Sequence, residues 1–382
     1  MDRYLSNFII KDIARKMVFI GGPRQVGKTT LAETVMRLAE FAPSLYLNWD
    51  NPDHRLTIQR RSWPKGQRLI VFDELHKLKK WKTWIKGIYD VEKASTNFLV
   101  TGSARLDIYR RGGDSLQGRY HYWRLHPITL DECPPEMTSA ECLTRLMKFG
   151  GFPEPFFSND PTEAARWRRE RYERFVREDI RDLNSVRDLQ TLELFATLLK
   201  ERVQSTVALS NLAADLEVSP VTTKHWLSVL ESMYYVFVIR PFSYKLARSI
   251  TKQPKVYFFD NAELISEPAK FENLVATHLL KRVHFLQDAY GESVNLCFIR
   301  DKEQREVDFA IVRGKNVEEI YEVKYQDHGI DDSLRYYAKK LKPKIACQVV
   351  WSAKQSYTTD GIQVISPLEL FSRPLESWRQ TI

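Results

Sequence analysis

The run Gly22-Pro23-Arg24-Gln25-Val26-Gly27-Lys28-Thr29, followed by Thr30, leaves few folds open to this chain. An apolar strand-like run, Met17-Val18-Phe19-Ile20, precedes it, and a segment with apolar Leu31, Val35 and Leu38 follows. That is the strand–loop–helix setting in which a glycine-rich loop with a terminal Lys-Thr pair holds phosphate. Backbone amides of the turn and the positive end of the next helix together cradle anionic oxygens. The loop residues 22 to 30 are therefore the expected nucleotide-binding set. Lys28 is predicted to reach the β- and γ-phosphates, and the Thr29 hydroxyl to hold Mg²⁺.

The stretch up to about Tyr122 alternates short apolar runs (17–20, 44–48, 68–72 and 97–101) with helical or loop segments, which predicts a parallel sheet flanked by helices. Leu69-Ile70-Val71-Phe72 is apolar throughout, as a strand buried on both faces reads, and it ends in Asp73 and Glu74. The carboxyl end of such a strand faces the ligand crevice. Asp73 is expected to assist Mg²⁺ and Glu74 to polarise the attacking water, which makes hydrolysis the expected reaction. Thr101 and Ser103, closing the next strand, are candidates to orient the γ-phosphate or the water. No Asn-Lys-x-Asp guanine-reading motif occurs, so ATP is the expected nucleotide. Of the nearby Arg105, Arg110, Arg111 and Arg119, the last follows Gly118 and is the choice for an arginine finger reaching a neighbouring subunit, which implies a homo-oligomer.

At 382 residues the chain has room for two or three cores. Its net charge of +9 leans towards anionic partners, nucleic acid first. Cys133, Cys142, Cys297 and Cys347 lack metal-ligand spacing, which fits a reducing compartment. With Asp2 and Asp12 near the start and no apolar stretch of roughly 20 residues, neither a signal peptide nor a membrane span is expected. The expected location is the cytoplasm.

Gly22 to Thr30, Val71 to Glu74, Thr101-Gly102-Ser103-Ala104, Ser115 to Arg119, His126-Pro127-Ile128 and Gly150-Gly151-Phe152-Pro153-Glu154 together resemble a prokaryotic family of AAA+-type ATPases. Members of that family pair an N-terminal ATPase with a C-terminal domain of unknown function. The resemblance covers most of the chain and implies an ATPase core with a small helical lid.

Two further patterns lie beyond the lid. From Val207 to Glu231 the chain has the form of a helix-turn-helix: Leu209, Leu212, Ala213 and Leu216 share one face, and Ser219-Pro220 is a natural helix start. The second helix is expected to bury Val221, Trp226, Leu227 and Leu230 and to expose Thr222, Thr223, Lys224 and His225. Strands at 234–240 and 256–259, joined through Lys245, Arg248, Lys252 and Lys255, would make a basic wing for DNA phosphates. A packing module of the same shape is the other reading.

In the last third, Glu272 lies on an expected helix, Asp308 on an alternating strand, and Glu322 and Lys324 two apart, hence on one strand face. The order Glu…Asp…Glu-x-Lys looks like the PD-(D/E)xK nuclease superfamily. In such a site Asp308 and Glu322 would bind Mg²⁺, Lys324 would help deprotonate water or neutralise phosphate charge, and Glu272 would complete the set from its helix. The same residues could instead form a salt-bridged solvated face. Asp260, His284 and His328 lie nearby without a compelling role.

The expected architecture is thus α/β: a P-loop NTPase core (1–125), a helical lid and linker (126–188), a winged helix-turn-helix (189–260) and a PD-(D/E)xK nuclease-like domain (261–382). The expected function is ATP-dependent processing of double-stranded or branched DNA. The alternative is a regulatory, signal-transducing ATPase whose C-terminal domain is a catalytically inactive platform for a partner.

Overall fold

A computed structural model of the chain describes residues 3–102, 116–175, 188–243, 252–353 and 355–379. Two compact units emerge: Met1–Pro127 with Ser232–Tyr234, and Ile128–Glu231 with Tyr235–Ile382.

The first unit is a parallel α/β sheet. In chain order it comprises α1 (Ser6–Ile13), β1 (Met17–Gly21), α2 (Lys28–Met36), β2 (Ser44–Asn48), α3 (Pro52–Arg60), β3 (Leu69–Asp73), α4 (Trp81–Glu92), β4 (Asn97–Thr101) and β5 (Tyr120–Arg124). The strands lie in the order β2-β3-β4-β1-β5, and every neighbour pair is parallel. β1 and β3 are buried along their whole length. A strand covered by helices on both faces has no polar side, which is why both read as unbroken apolar runs. Phe72 and Phe98 stack with ring centroids 6.2 Å apart, and Trp81, Ile85 and Ile88 of α4 cover one face. Because β4 lies between β1 and β3, Ile20 and Asp73 both stand in register with Thr101. One end of the sheet therefore gathers the phosphate loop, Asp73 and Thr101.

The second unit opens with helices α5 (Ser139–Phe149), α6 (Pro153–Ser158), α7 (Pro161–Arg174), α8 (Leu189–Lys200), α9 (Leu209–Asp215) and α10 (Pro220–Ser232). Two antiparallel strands follow, β6 (Val236–Pro241) and β7 (Lys255–Phe258). Then come α11 (Glu267–Tyr290), β8 (Val294–Arg300), β9 (Glu306–Arg313), β10 (Asn316–Lys324), α12 (Asp332–Leu341), β11 (Ile345–Val350), β12 (Tyr357–Thr359), β13 (Ile362–Ile365) and α13 (Pro367–Phe371). The strands form one eight-stranded sheet, β12-β13-β11-β10-β9-β8-β6-β7. Its centre has the helix–strand–strand–strand–helix–strand order expected from the sequence.

Two expectations change here. The strand pair meant as a protruding wing is the end of the large sheet: β6 runs parallel to β8, with Arg240 opposite Cys297 and Pro241 opposite Phe298. The expected boundary at 260/261 thus falls within a continuous sheet. β7 is fully buried although it is an edge strand. Its exposed-edge problem is solved by Asn273 on α11. The Asn273 side chain accepts from the Phe258 amide at 2.7 Å and donates to the Phe258 carbonyl at 2.8 Å, as a neighbouring strand would.

Where a helix-turn-helix was expected stand the two consecutive helices α9 and α10, with Ser219 Oγ accepting from the Thr222 amide at 3.1 Å. The face of α10 is rotated from the expected one. Val221 is 77% exposed, whereas Thr223 is buried and its hydroxyl donates to the carbonyls of Leu209 and Pro220. Threonine tolerates burial once its hydroxyl has an acceptor. Lys224 and His225 are exposed as expected. Among the described residues no helix is long and apolar enough to cross a membrane.

Candidate functional site

β1 ends at Gly21, and the next residue enters the loop under a tight constraint. A Cβ on Gly22 would lie 2.4 Å from the Leu125 carbonyl oxygen, and its φ of +141° is one that side chains avoid. Gly27, at φ +97°, caps α2 in the left-handed region. The first amides of α2 have no partner within the helix, so the loop and helix start present donors to an anion. Lys28 is buried, and its Nζ donates to the Gly22 and Pro23 carbonyls at 3.1 and 2.6 Å, which holds the ammonium over the loop. A residue the sequence reading missed braces the same loop. The buried guanidinium of Arg3 donates to the Val26 carbonyl at 2.7 Å and to the His126 carbonyl at 2.6 Å.

Asp73 is 5% exposed and held from three strands or helices at once. Thr29 Oγ1 donates to its Oδ2 at 3.0 Å, Tyr46 OH to the same oxygen at 2.6 Å, and Thr101 Oγ1 to Oδ1 at 2.5 Å. The Glu74 amide donates to Oδ1 at 3.0 Å and also to the Thr101 carbonyl at 3.1 Å. Thr29 and Asp73, the two residues expected to serve Mg²⁺, are therefore neighbours. The hard oxygens of this pair suit that ion. Tyr46 was not anticipated. Burial, followed by its hydrogen bond to Asp73, raises its phenol above the ordinary range, so it remains a donor. Asn48 Nδ2 in turn donates to Tyr46 OH at 3.3 Å.

Glu74 takes a left-handed backbone, φ 57°, which turns its side chain off the strand line. Burial pushes its carboxyl above the usual range, opposed by Lys77 and Lys28. Lys77 Nζ and His76 Nε2 each lie 3.6 Å from its Oε2. A carboxylate adjacent to the Asp73 cluster and raised by burial is a better proton acceptor than a solvated one.

Arg119 stands at the other end of the sheet. Its carbonyl accepts from the Met17 amide, so it lies four residue steps, about 13 Å, from the end of β1 that bears the phosphate loop. Its guanidinium makes a two-pronged contact with Asp90 of α4, Nε to Oδ1 at 2.8 Å and Nη2 to Oδ2 at 3.2 Å. Arg119 cannot serve the loop of its own chain. Ser103, Arg105, Arg110, Arg111, Lys245 and Arg248 lie outside the described residues.

In the second unit the Glu272, Asp308, Glu322 and Lys324 set does converge. Continuing the antiparallel register of β9 and β10 places Glu322 across from Asp308, and the Asp308 amide donates to Glu322 Oε2 at 3.3 Å. The Val323 amide donates to Asp308 Oδ2 at 3.0 Å. Lys324 Nζ lies 2.8 Å from Glu322 Oε1 and 2.9 Å from Asp331 Oδ2. Glu272 of α11 accepts from Tyr257 OH at 2.7 Å. Burial and then the Asp308 charge raise Glu272 to about 7, and the same two causes raise Glu322 well above the carboxylate range. Asp260 and His278 are structural in their contacts: Asp260 accepts from the Ala262 amide at 3.1 Å, and burial lowers His278 to about 4.

The expectation for Lys255 is corrected. The residue meant for DNA phosphate is 0% exposed, with Nζ 2.8 Å from Glu306 Oε1, 2.9 Å from Asp308 Oδ1 and 3.6 Å from Glu272 Oε1. Among the described residues no group of three or more His, Cys, Asp or Glu side chains is arranged to hold a metal ion.

With this geometry in view, comparison with known proteins adds the following. Residues 14–133 match the family described as AAA domain. The chain carries an AAA-type P-loop ATPase domain. Residues 140–266 and 269–371 match two families described as domains of unknown function, DUF8612 and DUF4143. An uncharacterized protein of Mycobacterium tuberculosis, Rv2008c, is 25% identical over 250 residues, 65% of this chain and 55% of that one. A counterpart from Mycobacterium bovis, Mb2031c, aligns equally, so the chain spans about half the length of these relatives. MJ1544 of Methanocaldococcus jannaschii, also uncharacterized, is 24% identical over 370 residues, 87% of this chain and 80% of that one. Among solved structures, a point variant of Thermotoga maritima RuvB aligns with a TM-score of 0.31 at 16% identity, over 61% of this chain and 86% of that one. A STAND-type signal transduction ATPase from Pyrococcus horikoshii, PH0952, gives 0.30 at 14% identity, over 76% and 48%. Likeness this slight transfers neither protein's role.

Proposed function

We propose that this protein is a Mg²⁺-dependent ATPase whose turnover switches a C-terminal half that engages DNA. The observation that carries the ATPase reading is Asp73. A buried carboxylate held by Thr29, Tyr46 and Thr101, one residue before Glu74 and beside Lys28, is a preorganised site for triphosphate hydrolysis. Bound Mg²⁺ would neutralise charge on the β- and γ-phosphates. Lys28 and the amides at the start of α2 bind the phosphates, Thr101 fixes Asp73, and Glu74 accepts a proton from water at its carboxylate. Steady-state hydrolysis should be abolished in Lys28→Ala and fall by about two to three orders of magnitude in Glu74→Gln with ATP binding retained. Hydrolysis unaltered in both variants would overturn the reading.

For the C-terminal half, DNA engagement is supported by exposed Lys224, His225 and Lys252 near the expected helix-turn-helix. If phosphates are contacted, log affinity for duplex DNA should fall linearly with log salt. One observation favours the second reading, a regulatory ATPase with a platform that does not hydrolyse: the ammonium of Lys255 among the carboxylates of the nuclease-like constellation.

A further inference from the structure

A nuclease-like role for the C-terminal centre calls for a divalent metal on Asp308 and Glu322, and the side chains present do not fit one. Each carboxylate oxygen of that pair already faces a donor. Asp308 Oδ1 receives Lys255 Nζ at 2.9 Å and Oδ2 the Val323 amide at 3.0 Å. Glu322 Oε2 receives the Asp308 amide at 3.3 Å, and Oε1 meets Lys324 Nζ at 2.8 Å. A metal bonded to Asp308 would sit against an ammonium bonded to the same oxygen, two cations in one buried space.

Lys255 has no easy way out. It starts a strand buried at all four positions, its own side chain has no exposure, and its Nζ is also 2.8 Å from Glu306 Oε1. The three carboxylate oxygens of Asp308, Glu306 and Glu272 lie within 3.6 Å of one nitrogen. The positive charge among these oxygens is supplied by the chain itself.

We propose that Lys255 is the resident cation of this centre. Its ammonium stands where a divalent ion would, so the centre takes up no divalent metal and ties β7 to β9 and α11 instead. The domain is then built for binding and not for metal-dependent cleavage of phosphodiesters. This extends the second reading above and rests on the C-terminal geometry alone, so ATP turnover does not bear on it.

The test is titration of full-length protein with Mn²⁺, without nucleotide, followed by electron paramagnetic resonance of free Mn²⁺, alongside thermal melts. Wild type and Asp308→Asn should take up Mn²⁺ identically. Lys255→Ala should gain one site per chain, on the order of a hundredfold tighter than any wild-type uptake, and Mn²⁺ should raise its melting temperature. Adding Asp308→Asn to Lys255→Ala should erase both effects. Wild-type uptake that disappears in Asp308→Asn would overturn the proposal, as would a folded Lys255→Ala variant indifferent to Mn²⁺. If Lys255→Ala does not fold, Lys255→Met keeps the stem packed, and the comparison of wild type with Asp308→Asn decides by itself. ATPase activity measured on the same samples reports separately on the nucleotide site.

Discussion

Replacing Glu272 by glutamine should leave stability nearly unchanged in mild acid and increase it above neutrality. Glu272 is 3% exposed, and burial followed by the Asp308 charge raises its carboxyl from 4.5 to about 7. The folded state therefore holds a proton more tightly than the unfolded chain does. The sign follows: below 4.5 the carboxyl is protonated in both states and costs nothing. Between 4.5 and about 7 stability falls as pH rises, and above 7 the full cost is present. A shift of this size corresponds to about 3 kcal/mol. Glutamine cannot ionise, yet its carbonyl can still accept from Tyr257 OH, so the packing beneath α11 is kept. Urea unfolding read by pulse proteolysis separates the second unit from the first by fragment mass. At pH 4.5 the Glu272→Gln midpoint should sit close to wild type. At pH 8.5 it should be higher, by an amount approaching that 3 kcal/mol. A variant equally or more destabilised at pH 8.5 would refute the reasoning, because it would mean that Glu272 is ionised throughout and that Lys255 fully offsets its charge.

Two further outcomes are expected in the first unit. Tyr46→Phe removes a hydrogen bond to the Asp73 carboxylate, and a bond to a charged acceptor is worth about 1.5–3 kcal/mol; kcat for ATP should fall roughly 10- to 150-fold while KM stays near wild type, a split that simple misfolding would not give. If Arg119 completes a neighbouring subunit's site, specific ATPase activity should rise with protein concentration, and mixing Arg119→Ala with Lys28→Ala should restore activity that neither has alone; no recovery on mixing leaves Arg119 as the Asp90 partner and nothing more.

The first unit was legible because its information is local. The phosphate loop is contiguous, and β1, β3 and β4 are short apolar runs ending in small or acidic residues, as strands under two helical layers must be. β5 escaped notice because Tyr120-His121-Tyr122-Trp123-Arg124 belongs to an edge strand with polar positions and no apolar run. Tyr46 escaped for a different reason. Nothing in Ser44–Asn48 distinguishes a tyrosine that packs from one whose hydroxyl reaches Asp73 on the neighbouring strand. Arg3 lies 23 residues before the loop carbonyl it grips.

Lys255 marks where sequence reading stops for a physical reason. Lysines in a Pro-flanked stretch between two strands are ordinarily solvated, and a wing was the natural inference. Burying one is costly unless its charge is met by several acceptors at once. Those acceptors come from α11 and β9, and Asp308 is 53 positions away in the chain. The carboxylates, read without the lysine, form a pattern that calls for a metal. With the lysine among them they form a buried ion cluster in which one ammonium meets Asp308, Glu306 and Glu272. The same four residues thus support opposite chemistry depending on one side chain that no local pattern could place, and a divalent ion offered to the Lys255→Ala centre tells the two apart.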